Sequence, residues 1–195
     1  MRKNKNKMSS GKPKQQVGIL DRALSKGKGE VNLSAFALLF SEIVQYCQNR
    51  VHSVNELHGK LSEFGQEVGV RMLDLLAVRE RGSRRETRLI NILLFIKGQV
   101  WKALFGKEAD NLEHATGDDS TYYIIEKEPV VNKFISVPKD RSGLNCAAFN
   151  AGIVEGILSA TNFPAKVSAH WHKGTTLMIK FDEAVLQRER AIDAK

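Results

Sequence analysis

The chain reads as an α+β fold, four main helices layered on one side of a four-stranded antiparallel sheet. Three observations predict it. Residues 33–105 carry apolar side chains at three-and-four spacing, residues 121–137 and 165–181 alternate with a period of two, and a helical pattern over 144–161 separates those alternating stretches. The order is three helices, a hairpin, a helix and a hairpin.

In the first helix, Leu33, Phe36, Phe40, Ile43 and Cys47 share one face, but Ala35 to Phe40 (AFALLF) is apolar in every direction. One face cannot account for Leu38 and Leu39. The second helix opens at a capping box, Ser53-Val-Asn-Glu56, and runs to about residue 80, with Leu57, Leu61, Phe64, Val68, Met72 and Leu75 as its core stripe. Val70, Leu73, Leu76 and Ala77 lie on other sides. Gly65 and Gly69 sit one turn apart and admit a second backbone, a packing device to which Arg71 is adjacent. Arg71 either lies over apolar surface or pairs with Glu67 or Asp74. A second capping box, Ser83 to Glu86, starts the third helix, predicted over 84–105 with Gly98 as a soft point and Gly106 as its terminator.

A polar linker, 107–120, follows. Thr121 to Lys127 and Val130 to Val137 read as strands joined at Glu128-Pro129. The fourth helix passes through Cys146, Phe149, Ile153 and Ile157. The second hairpin pairs Ala165 to His172 with Thr175 to Phe181 across Lys173-Gly174. Val167, Ala169 and Trp171 fall on one face, and Lys166, Ser168, His170 and His172 on the other. The implied organisation is a basic, disordered tail at 1–28, one domain at 29–182, and a polar helix or tail at 183–195.

The net charge is +8, yet residues 1–28 hold nine basic residues against one acid, leaving 21 of each sign in the remainder. A nucleic-acid binder carries its positive charge on the folded body, so no nucleic-acid partner is expected. The alternative reading is an adaptor whose basic tail meets anionic membrane or RNA. The arginines at 79, 81, 84, 85 and 88 form a helix junction, read as solvated before it is read as a site for an acidic partner or an anionic membrane surface. With neither a secretory signal nor a bilayer-length apolar run, the chain is expected to be soluble and intracellular. Cys47 and Cys146 read as reduced core residues.

His170 and His172 share a strand face without a third ligand nearby, and Cys47 lies on a core stripe where a thiolate would be poorly stabilised. Glycine-rich phosphate loops, nucleophile elbows and H-E-x-x-H are absent. No catalytic, cofactor-binding or metal-ligating residue is therefore assigned, and the chain is expected not to be an enzyme. What the first two helices do show is surplus apolar surface, which either a central position or another protein must cover. The candidate partner-binding residues are Leu33, Phe36, Leu39, Phe40, Ile43, Val68 and Met72, and the candidate helix-packing residues are Gly65, Gly69 and Arg71.

The runs LSAFALLFSEIVQYC, LHGKLSEFGQEVGVRMLDLL, RRETRLINILLFIKGQVWKALFGKEAD, TYYIIEKEPVVNKFISVP and FPAKVSAHWHKGTTLMIKF together resemble the small subunits of the transport protein particle (TRAPP) complex. The likeness extends from about Glu30 to Phe181. It implies a non-catalytic scaffold that pairs through its first two helices with a related subunit, subunit 3 being the implied partner, in dimers that join end to end. The assembly tethers vesicles between the endoplasmic reticulum and the Golgi and promotes nucleotide exchange on a Rab GTPase, so the implied location is cytoplasmic, peripheral at the cis-Golgi and endoplasmic reticulum. In the fatty-acylated member of the family a cysteine precedes the third helix. Here Arg81-Gly82-Ser83-Arg84-Arg85 has none, so acylation is not implied for this chain.

Overall fold

Asn32 caps the first helix, its side chain accepting from the Ser34 N–H at 2.9 Å, and α1 runs Leu33–Gln48. This computed structural model describes residues 31–79, 86–137, 139 and 143–194. The tail at 1–28, Ser83 of the second capping box and Arg81, Arg84 and Arg85 lie outside the described residues.

Ser53 starts α2, Val54–Arg79, by accepting the Glu56 N–H at 3.2 Å, while the Glu56 carboxylate reaches back to the His52 N–H at 2.8 Å. The buried stripe of α2 differs from the predicted one. It follows Leu57, Leu61, Gly65, Gly69 and Leu76, while Phe64 is exposed and Val68, Met72 and Leu75 are half-buried. The glycines cause the offset, because another helix backbone occupies the space beside them and turns their flanking side chains outward.

That helix is α6, Ala148–Ala160, shorter than the predicted 144–161 and buried along most of its length. It carries its own glycine pair, Gly152 and Gly156. A Cβ at Gly65 would meet the Phe149 carbonyl oxygen and lie 2.9 Å from the Ile153 nitrogen, and one at Gly69 would lie 3.1 Å from Ile153 Cα. Reciprocally, a Cβ at Gly152 would lie 2.8 Å from Ser62 Cα and one at Gly156 2.9 Å from Gln66 Cα. Two interleaved glycine pairs thus lay the helices backbone to backbone. Arg71 takes no part in this packing. Its side chain is 74% exposed and pairs with Glu67 at 3.1 Å.

The third helical stretch starts at Leu89 rather than at the predicted residue 84, with Arg88 and not the capping box at its N-terminus, and comprises α3, Leu89–Phe95, a π turn at Ile96–Val100, and α4, Trp101–Phe105, closed by Gly106 in the left-handed region at φ 74°. The π turn contains Gly98, and the Lys97 carbonyl accepts the Ala109 N–H at 3.1 Å, which ties the following segment back to the helix.

The sheet has the order β1-β2-β4-β3, antiparallel throughout, with β1 Asn111–His114, β2 Thr121–Glu126, β3 Ala165–Trp171 and β4 Thr175–Phe181. The first hairpin therefore pairs β2 with a strand inside the predicted linker, in the register Asn111 to Ile125 and His114 to Tyr122. Val130 to Val137 is not a strand. Val130–Lys133 forms one helical turn, α5, that buries Val131 behind an extended Pro129. Leu112, Ile124, Val167, Leu177, Ile179 and Phe181 belong to the core beneath the helices, and α7, Glu183–Asp193, adds Val185 and Leu186 to it.

Two substitutions separate close approach from helix propensity. Gly59 has open space around its Cα, so Gly59→Ala is expected to stabilise by about 0.5–1 kcal/mol in thermal or denaturant unfolding. Gly152→Ala drives a methyl group into the Ser62 backbone and is expected to cost about 3 kcal/mol or more in the same assay.

Candidate partner-binding face

Phe40 decides how α1 presents itself. It is 3% exposed, stacks on Phe36 with ring centres 5.8 Å apart, and meets Phe149 of α6 edge-on at 5.3 Å. With Val44 and Cys47 it forms the inward face of α1. Phe40 is thus an anchor of the helix within its own chain and not the surface residue expected from the sequence.

The opposite face is open. Leu38 is 71% exposed and Leu39 62%, and Leu33, Tyr46, Phe64 and Val70 are exposed as well. Tyr46 and Phe64 pack edge to face with centres 6.5 Å apart, joining the ridge of α1 to the flank of α2. The Arg50 guanidinium lies 3.5 Å over the Tyr46 ring and closes one end of the ridge. Of the sequence candidates, Leu33 and Leu39 are on this face, while Phe36, Ile43, Val68 and Met72 are half-buried against the core. Tyr46 and Phe64 belong to the open face without having been candidates. Spacing held the signal, since Tyr46 follows Leu38 and Leu39 by eight and seven residues. Each leucine moved from water into a partner would contribute about 1.5–3 kcal/mol.

A polar contact holds α2 to the segment just ahead of α6. The Asn145 N–H donates to His58 Nε2 at 3.0 Å. Burial, with a smaller effect from His170, lowers the His58 pKa below its ordinary 6.5. His170 itself contacts Ser168 Oγ at 2.7 Å and, with His172, Glu113, Tyr123 and Met178, lines a depression of about 280 Å³ on the sheet face away from the helices. Among the described residues no group of three His, Cys, Asp or Glu is arranged to hold a metal. Cys47 and Cys146 are free and buried, and burial pushes the Cys146 thiol up to about 12. No helix among the described residues is long and apolar enough to cross a membrane.

A family model described as "Transport protein particle (TRAPP) component" matches residues 36–182. The chain belongs to the TRAPP family. It is 63% identical to trafficking protein particle complex subunit 5 of Gallus gallus over 177 residues, covering 91% of this chain and 94% of that protein. The subunit 5 proteins of Homo sapiens and Dictyostelium discoideum are 62% and 54% identical over 91% and 90% of the chain, and 94% and 98% of their own lengths. Among solved structures, a subunit 3 from Naegleria fowleri, covalently bound to palmitic acid, superposes with a TM-score of 0.69 at 17% identity, over 78% of this chain and 96% of that one. That likeness shows the α+β fold of a TRAPP subunit. The apolar ridge on α1 is therefore carried by a TRAPP component, a kind of protein named for the complex it enters.

The His58 contact has a pH signature. A protonated imidazole cannot accept the Asn145 N–H, and the unfolded chain takes up that proton first as pH falls through 6.5. The contribution of His58 is hence fully present above pH 6.5 and lost below it. In unfolding measured from pH 7.5 to 5, His58→Gln is expected to show a shallower acid-side loss of stability than the parent protein.

Proposed function

We propose that the chain is a non-catalytic scaffold of the TRAPP vesicle-tethering complex. It pairs through α1 and α2 with a related small subunit, subunit 3, and supports Rab GTPase nucleotide exchange by the whole assembly in transport between endoplasmic reticulum and Golgi. The proposed place of action is cytoplasmic, peripheral at the cis-Golgi and endoplasmic reticulum. The observation that carries this reading is the exposed ridge of Leu38, Leu39, Tyr46 and Phe64 on a chain closely similar to subunit 5 proteins. Apolar ridges of this kind mark association surfaces. Covalent acylation is not part of the proposal, because the two cysteines are buried in α1 and just ahead of α6.

A second reading rests on the charge of residues 1–28, which equals the whole net charge of the chain. Such a tail attracts anionic lipid or RNA at low salt whatever the body does. Deleting residues 1–16 is expected to leave pairing intact and to remove vesicle or RNA retention at low salt.

The primary test is co-expression with subunit 3 of the same organism, with pairing read by light scattering and calorimetry. Leu38→Asp and Leu39→Asp, both on the open face, are expected to leave the helical circular dichroism of the chain in place and to weaken pairing by at least about 2 kcal/mol each. Phe40→Asp is expected to unseat α1 and lose folding as well as pairing, since it buries a charge beside Phe149. Undiminished pairing of the Leu38→Asp, Leu39→Asp double variant would remove the ridge from the interface.

A further inference from the structure

Glu126 occupies the last position of β2, opposite Thr175 of β4, on the sheet face that carries the helices. It is 2% exposed. One carboxylate oxygen, Oε2, accepts the Trp101 Nε1–H at 3.2 Å and a longer contact from the Asn150 side-chain amide of α6 at 3.5 Å. The other oxygen, Oε1, accepts no hydrogen bond, and neither does Asn150 Oδ1, which is also buried. The charged groups facing the carboxyl are Lys107, with Nζ 3.8 Å from Oε1, and Asp110. Lys107 is about half exposed and shares its charge with water, while Asp110 opposes ionisation. From β4 and α6 come Thr175 and Asn150, which carry no charge. An orphan donor, Asn145 Nδ2, belongs to the adjoining Asn132–Asn145 network and makes no hydrogen bond to Glu126.

A buried carboxylate is tolerated when donors satisfy both oxygens. Here two buried acceptors, on side chains already in contact, share the want of one donor. A single proton supplies it, because a neutral acid beside a primary amide can donate O–H to the amide oxygen while accepting the amide N–H. We infer that Glu126 is carried in the folded protein as the neutral acid, its proton on Oε1 directed to the Asn150 carbonyl oxygen, so that the joint between the sheet and α6 is a proton-dependent clamp. Burial, the largest influence on this carboxyl, acts in the same direction and raises its pKa from the ordinary 4.5, against the lowering effects of Trp101 and Lys107. A carboxyl raised in this way contributes its full stability below the ordinary value and loses it as pH rises through the folded value. The joint therefore loosens toward alkaline pH, the opposite sense to His58.

The experiment compares full-length protein with Glu126→Gln, which keeps the shape and fixes the neutral state. The expected result is a thermal midpoint at or above that of the parent from pH 5 to 9, a flatter fall as pH rises above the ordinary 4.5, and an infrared carboxylic-acid carbonyl band at pH 6 that the parent shows and the variant lacks. Lys107→Met is expected to leave the midpoint at pH 7 unchanged. A folded Glu126→Gln that melts well below the parent at every pH would overturn the inference, as would a parent without the acid band. A clear loss on Lys107→Met would do so too, by showing an ion pair. If Glu126→Gln does not fold, the parent is recorded with and without carboxylate-specific isotope labelling of glutamate, and presence or absence of the shifted acid band, with the Lys107→Met midpoint, decides between the two states.

Discussion

The face that α2 turns outward and the seat of α1 are set by the contact between two helix backbones. Gly65 and Gly69 on α2 meet Gly152 and Gly156 on α6 so closely that a methyl group on any of the four would collide with main-chain atoms of the other helix. Main-chain atoms cannot step aside as side chains do, so the contact specifies both distance and register. Ser62 is set beside Gly152 and Gln66 beside Gly156, which makes the two helices run in the same direction. Helix α6 sits inside the fold with α2 against it, and the larger residues of α2 have no room on that side. Phe64 and Val70 face outward as a consequence.

The same contact explains the looseness of α1. The inner side of α2 is taken by α6, so α1 reaches the core chiefly through Phe40, Val44 and Cys47, with the Phe40 ring against Phe149. An amphipathic helix of this size can bury one stripe. Leu38 and Leu39 are left over, and the surplus apolar surface visible in AFALLF persists in the folded protomer as the ridge on α1.

How much of this was legible in the sequence depends on what each pattern could distinguish. Period, helped for α2 by its capping box, identified the four main helices, and it identified the second hairpin because Val167, Leu177, Ile179 and Phe181 alternate cleanly along their strands. It failed for the first hairpin. Strand β1 is Asn-Leu-Glu-His, with a single apolar residue, Leu112, turned to the core, so it carries no pattern to find. The segment 130–137 has the apolar content of a strand and spends part of it burying Val131 in a helical turn. On the site, composition announced the surplus on α1, but the choice between Phe40 and Leu39 turns on about 100° of helix rotation. Only the position of Phe149, more than a hundred residues away, settles that choice. For α2 the glycine pair was visible and its consequence was not, because the predicted stripe continues from Leu57 and Leu61 through Phe64, Val68 and Met72, while the buried one continues through Gly65 and Gly69 to Leu76.

Both edges of the sheet are guarded against strand pairing. An open edge strand offers unpaired N–H and C=O groups to any extended chain. At one edge β3 is guarded by Glu155 of α6, whose carboxylate accepts the Val167 N–H at 2.9 Å while its other oxygen is held by Gln66 at 3.0 Å and Lys166 at 3.3 Å. A side-chain acceptor thus stands where a neighbouring strand would place its carbonyl. At the other edge β1 is four residues long and presents Asn111 and Glu113, the latter paired with Lys173 at 2.9 Å. Short, charged edges do not template pairing. With Gln66 coming from α2, the guard on β3 depends on the same helix contact that turns Phe64 outward. A single packing decision closes the edge at β3 and leaves a helical face open.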